Sequence, residues 1–350
     1  MKARVLRHLN IRTGLPRILP DNNPGYFDPG DVIDIADVVL GDNYKGNNVW
    51  YKLNDGGFVW AGGAERLDNE LHTLLNDPPA SGFDLTSLVR LNGGLSVSSK
   101  GAGGVVAVLD SGVSNTLLAN RIVLERNFVE ADPDARDLFG HGTKMAGIIC
   151  GNGPVINSLS SQCSIVNFRV ADKNGTILST PVFNAMKALD EGNARIDVIN
   201  MSFDISPSLL PVIQPIVDSL LQKGSVCVVA AGNGNRIKSI ATLKNVVRVG
   251  AFKKEDFQAL KQSGLNAVYH CVFVDTPIIS TSRSDGSEEA IHVSAYTALA
   301  SSFICSFLLD PGNSGLHGMQ RLQEAINFIA RASFPFMQQQ SPDDFKPLKP

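Results

Sequence analysis

Four short strings in this chain of 350 residues carry side chains suited to acid–base and nucleophilic chemistry. Asp110 closes VVAVLDSGV, a β-branched run that reads as a strand buried on both faces. A carboxylate there is held by a rigid scaffold and faces a crevice, although turns and helix caps use aspartate too. His141 stands between glycines in GHGTKMAGI, where a helix opens and the ring meets no crowding. The positive end of a helix disfavours imidazolium, so a neutral base is expected. Asn233 ends VVAAGNGN; its amide suits an oxyanion, while Asn-Gly is equally a common turn. Ser294, in IHVSAYTALASSFICSFLLD, opens a long helix whose free amides favour an attacking oxygen. Ser301, Ser302 and Ser306 fall inside that helix, where hydroxyls are expected to bond to backbone carbonyls.

The elements that position these residues alternate from Val105 onward. VVAVL, SIVNFRV, DVINMSF, SVCVVAAG and VVRVGAF read as buried strands. HGTKMAGIIC, TPVFNAMKALDEG, SLLPVIQPIVDSLLQKG and the spans 294–309 and 317–332 read as helices. Pro211 and Pro215 confine the regular part of the third helix to its end. This alternation predicts an α/β fold with a mostly parallel sheet and helices on both faces. Ligands of such sheets bind beyond the carboxyl ends of the strands, which directs attention to Asp110, Phe203 and Asn233. Residues 1–62 differ: short alternating runs separated by DNNPG, GDNYKGNN and NDGG predict a small all-β barrel. Residues 63–103 form a connector with a short helix in ERLDNELHTLLND, 104–335 the α/β domain, and 336–350 a disordered tail. The tail's KPLKP has PxxP spacing but reads as a loose end rather than a ligand for a groove.

Composition narrows the function classes. The net charge of −3 offers no case for nucleic acid or an anionic membrane. The start, MKARVLRHLNIRTG, lacks the apolar run of a secretory signal, and no stretch is apolar enough to span a membrane. The cysteines number five, an odd count, and lie in apolar runs. They read as buried free thiols in a reducing cytoplasm rather than a disulfide framework. His270, Cys271 and His292 lack metal-ligand spacing, so no metal is expected.

Taken together and in this order, VLDSGV, GHGTKMAGI, VINMSF and AAGN resemble the subtilase family over residues 90–310. The first 60 residues, with LNIRTG, PGD and VWYKLNDGGFVWAGG, resemble bacterial Src-homology-3-like domains. The subtilase resemblance implies a serine endopeptidase. Asp110 would orient the imidazole, His141 would act as general base and then acid, and Ser294 would be the nucleophile. Asn233 and the Ser294 backbone amide would form the oxyanion hole, and Ser202, Phe203, Asp204, Ala231 and Gly232 would line the substrate. Asp137 matches a frequent acidic position of the family. No cofactor is implied, although scattered carbonyls in such folds often bind calcium.

Three departures stand out. His292-Val293 replaces the usual Gly-Thr before the nucleophile, which would strain the backbone if φ must be positive there. Asp204-Ile205 replaces glycines after VINMSF, narrowing the cleft and favouring basic substrate residues. The connector is short for a folding propeptide. The expectation is a cytoplasmic protease of limited specificity acting on protein or peptide substrates, with the N-terminal barrel recruiting a partner. The competing expectation is an inactive scaffold that retains the fold.

Overall fold

The computed structural model describes residues 2–66, 83–84 and 99–332, apart from positions 15, 20, 21, 45, 46, 154, 234, 235, 254, 255, 257–267, 276, 277 and 291. The helix expected in ERLDNELHTLLND and the tail 336–350 lie outside the described residues. Contacts divide the chain into two units, Met1–Asp77 and Pro78–Pro350.

The first unit is antiparallel. Strands β1 (Lys2–Val5), β4 (Val32–Tyr44), β5 (Asn47–Leu53), β6 (Phe58–Trp60) and β7 (Ala64–Arg66) pair in the order β6-β5-β4-β1-β7. β2 (Leu9–Ile11) and β3 (Gly25–Phe27) form a separate ribbon, tied to β6 by an Arg12–Phe58 bridge. Period-two alternation is plain in β1, where Ala3 and Val5 point inward and Lys2 and Arg4 outward. The inward residues join Ile35, Trp50 and Val59 in one core. Gly56, at φ +86°, closes the turn between β5 and β6, a conformation that disfavours any side chain. Among the described residues no ladder joins β6 to β7, so the strand order has two ends.

In the second unit a two-stranded pair, β8 (Phe83–Asp84) with β11 (Ile156–Asn157), accompanies a larger sheet. That sheet runs β10 (Ile122–Asn127), β12 (Ser164–Arg169), β9 (Val105–Asp110), β13 (Val198–Met201), β14 (Val226–Asn233), β16 (Val247–Phe252) and β17 (Cys271–Val274). All these neighbours are parallel, as the alternation of strands and helices predicts. A short β15 (Arg236–Ile237) turns back antiparallel onto the end of β14, and β18 (Ile278–Thr281) forms a hairpin with β19 (Ser287–Ala290). The helices are α1 (His141–Cys150), α2 (Ser179–Glu191), α3 (Leu210–Gln222), α4 (His292–Leu308) and α5 (Gly318–Ala332).

The two faces of the sheet are covered by different helices. Ala107, Leu109, Ile199, Met201, Cys227 and Val229 share a core with Val182 and Met186 of α2 and Ile213 and Val217 of α3. The alternate residues face α4, which packs on β13, β14, β16 and α1. Because α4 is buried on nearly every side, its Ala295, Ala298 and Ala300 let neighbouring backbones approach. Its interior hydroxyls bond to carbonyls as expected: Ser301 Oγ to Thr297 at 2.9 Å, Ser302 Oγ to Ile149 at 2.9 Å, and Ser306 Oγ to Leu159 at 3.0 Å. Two of those acceptors belong to neighbouring segments, so the hydroxyls also tie α4 to its surroundings.

One helix departs from expectation. α3 begins at Leu210 and carries Pro215 inside it, rather than starting after both prolines. Pro211 lies in the first turn, where its missing N–H has no partner to lose. Pro215 would bond back to Pro211, so only one bond of the ladder is forfeited, while Ile213, Val217 and Leu220 still reach the core. Among the described residues no helix is long and apolar enough to cross a membrane, and no cluster of ligating side chains could hold a metal ion.

Candidate active site

The carboxyl ends of β9, β13 and β14 lie along one edge of the sheet, and Asp110, Ser202 and Asn233 stand there. Asp110, the last residue of β9, is buried. Its Oδ1 accepts the Ser111 amide at 2.7 Å, and both oxygens meet His141 Nδ1, at 2.8 and 2.9 Å. That pairing assigns the Nδ1–H tautomer and leaves Nε2 as the free base.

α1 presents the ring at its first residue. Gly140 takes φ +111° just before it, which lets the chain enter the helix sharply. A Cβ on Gly142 would collide with the Gly112 carbonyl oxygen and stand 3.0 Å from Asp110 Cβ, so glycine is required for the histidine to reach the aspartate.

The first turn of α1 is fixed by Asp137. Its Oδ1 accepts from Ser111 Oγ at 2.8 Å, the Phe139 amide at 2.9 Å and the Gly140 amide at 2.7 Å. Its Oδ2 accepts from the Thr143 amide at 2.9 Å and Thr143 Oγ1 at 2.6 Å. Ser111 Oγ in turn accepts the Gly142 amide at 2.9 Å, linking the residue after Asp110 to the residue after His141. Negative charge at a helix start is favourable, and every donor around this buried carboxylate is satisfied.

The His141 side chain is 29 % exposed. Burial pushes its pKa down, but the charge of Asp110 and the hydrogen bond to it outweigh burial, and the net shift is upward. This corrects the sequence reading, in which the helix start alone favoured the neutral ring. A carboxylate in direct contact acts more strongly than the partial charge of a helix end.

Ser294 is built differently. α4 begins two residues before it, at His292, so the serine lies within the first turn rather than opening it. Its Oγ donates to the Ser202 carbonyl at 2.7 Å, and Ser202 Oγ donates to the Ser294 carbonyl at 3.2 Å. No hydrogen bond joins Ser294 Oγ to the His141 ring, so the hydroxyl is turned onto the end of β13.

His292 occupies a left-handed conformation, φ +68°. The strain expected of a histidine in place of glycine is therefore present, of the order of 1 kcal/mol. It is countered by Asp275, just beyond β17: Oδ1 accepts the His292 amide at 2.8 Å and Oδ2 lies 3.0 Å from Nδ1. Sequence reasoning missed Asp275. The rule that singled out Asp110, a polar residue ending a buried strand at this edge, applies to VFVDTP equally.

The remaining site residues fall around this edge. Asn233 is exposed at the end of β14, its backbone paired with Arg236 of β15. Ala231 and Gly232 precede it, buried, and the Ala231 carbonyl accepts the Lys238 amide at 2.9 Å. Phe203 packs into the core beneath α2 and α3, which leaves its backbone as the group facing outward. Asp204 Oδ1 accepts the Ile205 amide at 2.9 Å and the Ile240 amide at 3.2 Å, so this carboxylate holds two segments together.

The Subtilase family model matches residues 101–318, more than half of the chain. The chain is 30 % identical over 165 residues to thermitase from Thermoactinomyces vulgaris, covering 45 % of this chain and 58 % of that protein. It is 29 % identical over 167 residues to a thermophilic serine proteinase from Bacillus sp. (strain AK1), covering 46 % of this chain and 41 % of that one. The chain thus spans about half the length of the curated relatives it matches. A cold adapted subtilisin-like serine proteinase has the same fold, with a TM-score of 0.53 at 23 % identity over 65 % of this chain and 82 % of its own. Sheet order, strand-end chemistry and the family match converge on one stretch, and the chain belongs to the subtilase family.

Proposed function

We propose that this chain is a serine endopeptidase that cleaves protein substrates through an acyl-enzyme on Ser294. The observation that carries the reading is the Asp110–His141 pair, with both carboxylate oxygens within 2.9 Å of Nδ1. Such a pair leaves Nε2 free to take a proton and steadies the imidazolium that results. Ser294 Oγ attacks the scissile carbonyl carbon while Nε2 takes its proton. The oxyanion is received by the Asn233 amide and the Ser294 backbone N–H at the start of α4. The C–N bond then breaks, the proton passes from His141 to the leaving amine, and water hydrolyses the ester by the same route in reverse. Ala231, Gly232 and the backbone of Ser202–Asp204 form the walls for the substrate. With Asp204 and Ile205 where family members place glycines, cleavage is of limited specificity.

Five buried free thiols support an intracellular, reducing setting. The N-terminal unit, with its short antiparallel strands, is read as a Src-homology-3-like module that recruits a partner or substrate.

A second reading, a peptide-binding scaffold without catalysis, is favoured by one observation: Ser294 Oγ bonds to the Ser202 carbonyl and not to His141. A fluorophosphonate probe separates the two. Labelling of the wild type that disappears in Ser294→Ala and in His141→Ala is the expected result. A folded wild type that stays unlabelled would leave the scaffold reading in possession.

A further inference from the structure

We propose a second ligand site at the opposite end of the sheet from Ser294, which takes a carboxylate attached to an apolar side chain. Asp197 immediately precedes β13 and Ser202 immediately follows it, so the strand separates the two sites by about 16 Å. A cavity of about 350 Å³ opens beside Asp197, at the start of α5.

The charge there does not balance. Asp197 Oδ1 accepts from Arg195 at 3.0 and 2.7 Å and from Arg321 Nη2 at 2.8 Å, while Oδ2 accepts the Val105 amide at 3.0 Å. One carboxylate thus serves two guanidinium groups. Lys223, also on the cavity wall, is taken up by Asp190 at 2.7 Å. Arg321 is only 6 % exposed, and its Nε has no hydrogen-bond partner among the described residues. Buried charges are ordinarily paired, and buried donors satisfied. An anion in the cavity would supply the missing charge beside Arg195 and Arg321. Its neighbours would be His317 and the guanidinium of Arg195, whose Nη1 is not engaged by Asp197.

The rest of the lining decides what kind of anion. Leu308, Leu309 and Leu316 share the wall with the cations. Inorganic phosphate would leave that surface wet, whereas a carboxylate with an apolar group beside it covers both. The last residue of a peptide and an N-acylated amino acid share this chemistry. The proposal is independent of the reaction at Ser294.

The test is a titration of the full chain followed by heteronuclear NMR, with the amides of Gly224, Leu309 and Leu316 reporting the cavity. N-acetyl-leucine is expected to shift them saturably, N-acetyl-leucinamide to leave them unmoved, and phosphate to bind at least about tenfold more weakly. Arg195→Gln, at a side chain 62 % exposed, keeps the Arg321–Asp197 pair and is expected to weaken N-acetyl-leucine by about tenfold. In Ser294→Ala, a leucine-ended peptide that binds as tightly as N-acetyl-leucine assigns the site to peptide C-termini, and its exclusion assigns it to small acids. No response to any ligand, equal response to acid and amide, phosphate bound as tightly as the acid, or undiminished binding in Arg195→Gln would each overturn the proposal.

Discussion

The histidine side and the serine side of the site are built by opposite means. On the first, a buried carboxylate at a strand end, two glycines and the Asp137 cap give the ring one position. On the second, a left-handed histidine starts the helix, and the serine hydroxyl rests on the Ser202 carbonyl. A rotation about one side-chain bond redirects that hydroxyl, while moving the ring would require breaking Asp137's whole set of bonds. The contrast teaches that the fold preorganises the proposed base, His141, and leaves the proposed nucleophile, Ser294, adjustable.

The largest effect expected from breaking this contrast comes from Asp110→Asn. Turnover should fall by about 10⁴-fold, because the ring loses its orienting acceptor and its preferred tautomer. The pH dependence gives an independent reading. His141 has a raised pKa and must be neutral to act, so activity should rise with pH through a midpoint above about 6.5. Removing the Asp110 charge should move that midpoint down, as a pH–rate profile of any residual activity would show. A midpoint that stays put would mean another group governs the ring.

Asp137→Ala strikes the same side indirectly. It leaves several buried donors unpaired, and stability should fall by roughly 2–3 kcal/mol in a denaturant titration. Labelling of Ser294 should slow as well, at a temperature where the variant is fully folded. Labelling unchanged in the folded variant would show that α1 holds His141 without its cap.

His270 provides a control away from the reactive edge. Burial, and then the charge of Arg248, push its pKa down to about 3. The neutral ring is therefore the folded form, and its contribution is complete above the unfolded value of about 6.5. As pH falls from there towards 3, the unfolded chain takes a proton that the folded chain refuses. Stability should drop by on the order of 1 kcal/mol per pH unit through this group. His270→Gln should flatten that slope without moving the pH–rate midpoint, and an unchanged slope would refute the assignment.

The smallest effect is expected on the serine side. His292→Gly removes the positive-φ strain and the exposed pairing with Asp275, two terms of opposite sign. Net stability should change by less than about 1 kcal/mol and labelling by less than about threefold. A tenfold loss of labelling would mean that the imidazole itself, rather than the backbone it holds, serves the nucleophile.

What could be read from the sequence follows the same division. Asp110 and His141 announce themselves because strand burial and flanking glycines are local properties, carried by VVAVLD and GHGT. The parallel sheet was legible for the same reason, since each buried run is marked by its own β-branched residues. The serine side depends on pairs far apart in the chain. The strand end in VFVDTP could flag Asp275 itself, but its pairing with His292, like those of Ser202 with Ser294 and Asp204 with Ile240, has no local signature. Pro215 misled because its cost depends on which carbonyl it faces, a detail set by the start of the helix. The upward shift at His141 was missed because it depends on a through-space contact, whereas the helix end lies in plain view along the chain.

The buried thiols give the chain a built-in record of its own breathing. Cys163 meets Cys150 of α1 and Cys305 of α4, while Cys227 lies in the core beneath α2 and α3. None is reachable in the closed structure, and burial pushes the Cys227 thiol up to about 12. Alkylation should therefore count transient openings rather than surface chemistry. The order in which the cysteines are tagged should tell which of the two helical layers lifts first.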